Sequence, residues 1–223
     1  MSTSALSNDS MQGGFVFPQS LTEKYRPQRF DEFSGMDKQR KVLANFAAKP
    51  YPTAWLFTGA PGTGKTCMGL ALAEAIGAEV HHIPSQECNV ANIERAVFTC
   101  HYVPMAGKRM HLILVDEADQ MSNAAQLSLL SKLDSTAFPP ATVFVFTCNA
   151  TDRLEARFLS RCKVLEFSTY GIAAPVSELL QRVWHAETQG KAGVCPNYQR
   201  IVKESNNNVR EALQRLETEL LAI

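Results

Sequence analysis

Short apolar runs recur along the first two thirds of the chain, each bounded by polar, glycine or proline positions and most followed by a helical pattern. Ala54–Thr58, Glu79–Ile83, His111–Val115, Thr142–Thr147 and Lys163–Phe167 read as strands. His111–Val115 is apolar enough to be buried on both faces. Helical patterns cover Cys67–Ile76, which stops at Gly77, and about Ala91–Tyr102, which precedes a turn at Pro104–Gly107. Ser122 reads as the N-cap of a helix through about Leu133, and Phe138-Pro139-Pro140 breaks the chain before the fourth strand. A further helix falls around residues 153–161. Strands alternating with helices predict an α/β fold, a mostly parallel five-stranded sheet with helices on both faces.

From about Gly171 only helical patterns remain, near 173–188, 196–204 and 208–222, which predicts a separate three-helix bundle. The expected organisation is a flexible tail over 1–19, an α/β domain over 20–168 and a helical domain over 169–223. Within the Ser-, Gly-, Asn- and Gln-rich tail, Phe15-Val16-Phe17 reads as a small packing contact rather than a docking peptide.

Composition narrows the classes. The 223 residues are 45% hydrophobic, enough for a sizeable core. Lysine plus arginine (22) balance aspartate plus glutamate (22), so any grip on nucleic acid must come from a local patch, several copies or a partner. Cys67, Cys88, Cys100, Cys148, Cys162 and Cys195 form no C-x-x-C pair, which argues against zinc and against a disulfide scaffold and fits a reducing cytosol. The five histidines are dispersed, and the pair His81-His82 at a strand end carries no metal signature. No basic-then-apolar leader and no run of membrane-spanning length is present, so no membrane role is expected.

The densest chemical signal is Gly59-Ala60-Pro61-Gly62-Thr63-Gly64-Lys65-Thr66, a G-x-x-x-x-G-K-[ST] phosphate loop between a predicted strand and a helix beginning near Cys67. Glycines let successive backbone N–H groups turn toward a polyphosphate, and the helix N-terminus adds partial positive charge. Lys65 is expected to reach the β- and γ-phosphates of ATP, and the Thr66 hydroxyl to hold Mg²⁺. About fifty residues on, Asp116-Glu117 ends an apolar strand, where open α/β sheets place ligands. Asp116 is the expected Mg²⁺ carboxylate and Glu117 the base that polarises water, although such acids also cap helices. Asn149, after the next strand, has an amide suited to positioning that water. Arg161 in Ser160-Arg161-Cys162, and Arg210 at the start of the last helix, are candidates for stabilising phosphoryl charge; spacing alone leaves both open to a solvated surface role.

Together these residues resemble the clamp-loader branch of the AAA+ ATPases, the replication factor C small subunits and the equivalent phage loader subunit, across residues 21–222. Leu21–Pro27 followed by Phe30–Gly35 is similar to that group's adenine-pocket segment, which implies that Tyr25, Arg26 and Pro27 flank the base. Val115–Asp119 resembles its Walker B box and Asn149 its sensor 1. Ser160-Arg161-Cys162 resembles its S-R-C motif, which implies that Arg161 acts in trans on a neighbouring subunit's ATP. Asn208–Leu213 resembles its sensor 2, which implies that Arg210 touches the γ-phosphate in cis, and the helical segment is then the lid of the AAA+ fold.

Three departures qualify the likeness. Leu130 and Ser131 stand where paired arginines are expected, leaving only Lys132 as a basic contact there. The sequence ends after the lid, where clamp-loader subunits continue into a helical collar, so association through AAA+ faces or a partner's scaffold is expected. The zinc cysteines of the bacterial gamma/tau type are absent. The implied function is a DNA-stimulated ATPase that joins other loader subunits, as a homo- or hetero-oligomer, to place a sliding clamp on primer–template DNA in the cytoplasm or nucleoid. Two alternatives stay open: another AAA+ role on DNA, such as junction migration or helicase loading, and an ATP-switched assembly subunit with a protein target.

Overall fold

A computed structural model describes residues 18–105, 107–134, 136–189 and 195–222. Phe15-Val16-Phe17 and most of the expected tail lie outside them. The elements run α1 (Leu21–Lys24), α2 (Asp37–Ala48), β1 (Thr53–Gly59), α3 (Lys65–Ala75), β2 (Ala78–Ile83), α4 (Val90–Thr99) and β3 (Met110–Val115). They continue with α5 (Asn123–Lys132), β4 (Thr142–Cys148), α6 (Ala156–Leu159), β5 (Lys163–Phe167), α7 (Ala173–Thr188), α8 (Tyr198–Glu204) and α9 (Val209–Leu221).

All five strands pair in parallel, in the order β2-β3-β4-β1-β5. The interior strands follow from their sequences: β3 and β4 are buried along their whole length, as unbroken Val, Ile, Leu and Phe runs require in a sheet covered on both faces. The edges differ, with only the end residues of β2 and only Leu165 and Phe167 of β5 buried.

Side-chain alternation splits the core in two. On one face Trp55, Phe57, Leu112, Leu114, Val143 and Val145 meet α2 and α3 through Leu43, Met68 and Leu72. That cluster runs on without a break into Val176, Leu180, Trp184, Ile201 and Leu216 of α7–α9. On the other face Leu56, Ile113, Phe144 and Phe146 meet α4, α5 and α6 through Ile93, Val97, Leu129 and Phe158.

The five strands and the Ser122 cap, whose side chain accepts from the Ala125 N–H, agree with the sequence expectation. Four helices differ, one of them the short α1 (Leu21–Lys24), where none was expected. Between residues 153 and 161 only Ala156–Leu159 is helical. Helix α4 ends at Thr99, short of Tyr102. Helix α2 lies in a stretch for which no helix was expected. Its first turn is polar and no side chain caps it, because Met36 enters in the left-handed region (φ 61°). Burial of Gln39, Leu43 and Phe46 holds it in place.

The topology sets β1, β4 and β3 side by side. Their C-terminal ends therefore deliver the phosphate loop, the Thr147–Asn149 segment and Asp116-Glu117 to one edge of the sheet.

Candidate active site

At that edge lies a cleft of about 550 Å³. Its floor is the phosphate loop, which wraps the start of α3 by backbone means. Gly64 enters the helix at φ 87° and Gly62 sits at φ 73°, left-handed values at which a side chain is strained. A Cβ on Gly59 would lie 2.2 Å from the Phe167 carbonyl oxygen, so the close approach of β5 also demands glycine there. A Cβ on Gly62 would lie 1.9 Å from Asn208 Oδ1, so the start of α9 stands directly over the loop. Asn208 is itself fixed as the cap of α9, accepting from the Glu211 N–H.

Lys65 is buried, and Nζ donates to the carbonyls of Gly59 (2.7 Å) and Ala60 (2.9 Å) and to Asn149 Oδ1 (3.0 Å). Burial lowers its pKa below the usual lysine value. Thr66 Oγ1 donates to Asp116 Oδ1 at 2.8 Å. Thr147 Oγ1 donates to the same oxygen at 3.0 Å and accepts from the Glu117 N–H at 3.1 Å. His82 Nε2 lies 2.7 Å from Asp116 Oδ2. The Asp116 carboxylate is thus oriented from three sides. Glu117 leaves β3 at φ 52°, an uncommon conformation for a non-glycine residue, held by that Thr147 contact.

Tyr25, Arg26 and Pro27 line the opposite wall beside Phe33, Met36 and Leu179. Tyr25 Oη donates to Glu187 Oε1 of α7 at 2.5 Å. Burial and this carboxylate push the phenol up to about 12. The wall is apolar at its back and polar at its rim, which suits a planar aromatic base.

Pro61 to Cys67, Asp116, Glu117, Asn149 and Arg210 line the same cleft as Tyr25, Arg26 and Pro27. Gly59 and Ala60 sit behind it as acceptors for Lys65. Arg161 alone is elsewhere: Nη1 donates to the Arg157 carbonyl at 2.9 Å, and Nη2 is 4.0 Å from Asp134 Oδ2, with a third of the side chain exposed. The donor set beside the loop fits a magnesium ion, since a hydroxyl and a carboxylate, hard oxygen ligands, converge at Thr66 and Asp116.

Sequence reasoning missed Thr147 and His82. Both sit at or beside strand ends next to Asp116, and the signal for each was the parallel register. Thr147 pairs with Phe57 across β4–β1, and Ile83, next to His82, pairs with Val115 across β2–β3.

The chain resembles several known proteins. The replication factor C small subunit of Thermofilum pendens is 29% identical over 204 residues, covering 87% of this chain and 61% of that protein. Replication factor C small subunit 1 of Pyrobaculum arsenaticum is 30% identical over 203 residues, 87% and 60% respectively. The chain therefore spans about three fifths of the length of the curated relatives it matches. Among solved structures, the Thermotoga maritima RuvB Holliday junction branch migration motor superimposes with a TM-score of 0.71 at 19% identity, over 86% of this chain and 64% of that one, a likeness of fold. Among the described residues no helix is long and apolar enough to cross a membrane. Residues 55–170, more than half of the chain, match the ATPase family associated with various cellular activities (AAA), and the chain belongs to that family.

Proposed function

We propose that this chain binds ATP with Mg²⁺ in the cleft over the phosphate loop and hydrolyses it as one subunit of an assembly that loads a sliding clamp onto primer–template DNA. The observation that carries the reading is the division of the site. Lys65, Thr66, Asp116, Glu117, Asn149 and Arg210 gather in one cleft, whereas Arg161 stands outside it, partly exposed and weakly paired. A guanidinium so placed is out of its own cleft and free to meet a neighbouring subunit's nucleotide, which supports a role in trans. The replication factor C small subunits among its relatives support the clamp-loading role.

The chain's own groups supply the chemistry. Backbone N–H groups of residues 62–66 cradle the phosphates, and Lys65 exchanges carbonyl partners for charged phosphate oxygens, which it binds more strongly. Thr66 and Asp116 hold the magnesium ion, which when bound neutralises phosphate charge. Glu117 accepts the proton of the attacking water and Asn149 orients that water toward the γ-phosphate. Arg210, in α9 over the loop, contacts the γ-phosphate from its own subunit. We read α7–α9 as a lid domain that closes this cleft, and a neighbour's Arg161 completes the charge stabilisation.

The test is steady-state ATPase activity of the assembled protein with and without primer–template DNA and the cognate clamp. DNA-stimulated turnover coupled to clamp placement on DNA supports the proposal. Turnover indifferent to DNA, with no clamp placed, overturns it.

A further inference from the structure

We propose that His81, Cys100 and His111, with Glu79 as fourth ligand, form a zinc(II) site that ties the end of α4 to the β2–β3 edge of the sheet. The expectation drawn from cysteine spacing was that no such site exists. The ligands come from three separate elements, so no linear spacing reveals them.

Strand register brings them together. Glu79 pairs with His111 across β2–β3, and His81 follows two residues later on the same face of β2. Cys100 caps the C-terminus of α4, which packs over that face. The Nε2 or Nδ1 atoms of the two histidines and Cys100 Sγ all lie within 4.8 Å of one another. His81 Nε2 is 2.9 Å from His111 Nδ1. The cluster is separate from the nucleotide cleft, because His82, which meets Asp116, points to the other face of β2.

Three features distinguish it from a casual pair of histidines. First, His111 Nε2 is anchored at 2.9 Å on the Tyr102 carbonyl, which directs an unprotonated Nδ1 lone pair into the cluster. A metal-bound imidazole is normally fixed in this way through its other nitrogen. Second, His111 and Cys100 are each 1% exposed, so bulk water does not compete for their donor atoms. Third, Glu79 Oε2 lies 3.8 Å from His111 Nδ1 and is itself positioned by the Met105 N–H at 2.7 Å. Two imidazoles, a thiolate and a carboxylate are the ligand set of zinc rather than magnesium or calcium.

The two ring nitrogens need little movement. Cys100 Sγ, within 4.8 Å of them, and the Glu79 carboxylate, 3.8 Å from His111 Nδ1 but outside that cluster, must draw in further. Zinc–nitrogen bonds of about 2.0–2.1 Å in a tetrahedron set ligand nitrogens about 3.3 Å apart, a few tenths of an ångström more than the ring separation here. β2 is an edge strand and can yield by that amount. On coordination His81 carries its proton on Nδ1 instead of Nε2, His111 keeps its proton on Nε2, and Cys100 releases its thiol proton to solvent. One proton leaves per ion bound. The site would hold the segment from Cys100 to Met105, already fastened through the Tyr102 carbonyl and the Met105 N–H, against the sheet.

Cobalt(II) titrated into the full chain is the test, since cobalt reports its ligands optically. One equivalent should produce an intense thiolate-to-cobalt charge-transfer band together with the visible bands of four-coordinate cobalt, and zinc should displace both. The charge-transfer band should be abolished in Cys100→Ser and cobalt affinity should fall at least tenfold in His81→Gln. The optical signal should persist in Asp116→Asn, which removes the oxygen-ligand site of the cleft. Circular dichroism checks the fold of each variant. His81 lies on the exposed edge strand, so its variant keeps the test open if Cys100→Ser misfolds. Wild type lacking the charge-transfer band, or Cys100→Ser retaining it, overturns the proposal. Either result leaves the reading of the nucleotide cleft untouched.

Discussion

Lys65 Nζ donates to Asn149 Oδ1 across 3.0 Å, joining the first residue of α3 to the loop that follows β4. All three acceptors of this buried ammonium are neutral amide oxygens. Burial without a carboxylate in direct contact is why its pKa is lowered. A triphosphate offers charged oxygens in their place, and on the proposed reading Asn149 would then be released toward the γ-phosphate.

The two partners should therefore fail differently. Lys65→Met should weaken ATP binding at least tenfold, since a charge-assisted contact is removed from a desolvated site. Asn149→Ala should bind ATP within about threefold of wild type yet hydrolyse it on the order of a hundredfold more slowly, the scale expected when one polar group facing a transition state is removed. Titration with a fluorescent nucleotide and single-turnover hydrolysis separate the two. Equal losses of affinity in both variants would contradict the assigned roles.

Arg161→Ala should leave ATP affinity unchanged and reduce turnover about a thousandfold, in the range known for arginines supplied to phosphoryl transfer. Glu117→Gln should also bind ATP and not hydrolyse it. Mixing the two inactive proteins should recover a measurable fraction of wild-type rate, because one of the two mixed interface orientations pairs an intact Glu117 with an intact Arg161. No recovery at any mixing ratio would mean that both residues act within one subunit.

Gly62→Ala should destabilise the protein by about 1–3 kcal/mol, from left-handed strain and from collision of the new methyl with Asn208 Oδ1. Asn208→Ala removes the collision but not the strain, so Gly62→Ala should cost less in that background. Denaturant unfolding of the four proteins measures the difference. Simple additivity would show that the loop and α9 do not touch in solution.

The Tyr25–Glu187 contact predicts a response to acid. Hydrogen bonds from Tyr25 and then Lys24 hold the Glu187 carboxyl below its ordinary value of 4.5. The unfolded chain therefore takes up this proton first as pH falls. The stabilisation is fully present above about 4.5 and is lost progressively below it, through the lowered folded value. Glu187→Gln should be less stable than wild type at pH 7, and the gap should narrow toward pH 3. A constant gap across that range would rule the contact out as its source.

Much of this was legible in the chain itself. The phosphate loop and Asp116-Glu117 could be read because local spacing specifies each, and the strands because unbroken apolar runs leave few alternatives for β3 and β4. Helix α2 was not, since a polar first turn and a left-handed Met36 remove the usual start signals and tertiary burial of Leu43 and Phe46 decides its form. Thr147 and His82 were not, because their roles depend on which strands become neighbours, and an order of β2-β3-β4-β1-β5 is not written in any one segment. The same holds for His81, Cys100 and His111.

The contact of Gly62 with Asn208 makes α9 a lever with its fulcrum on the loop. Thirteen residues at about 1.5 Å each give an arm of about 20 Å. A tilt of roughly ten degrees about Asn208 would carry Leu221 some 3 Å, on the order of a side-chain contact distance. A nucleotide that tilted α9 in this way would turn occupancy of the loop into a displacement on the far side of the molecule, where an adjoining protein could read it without ever touching the nucleotide.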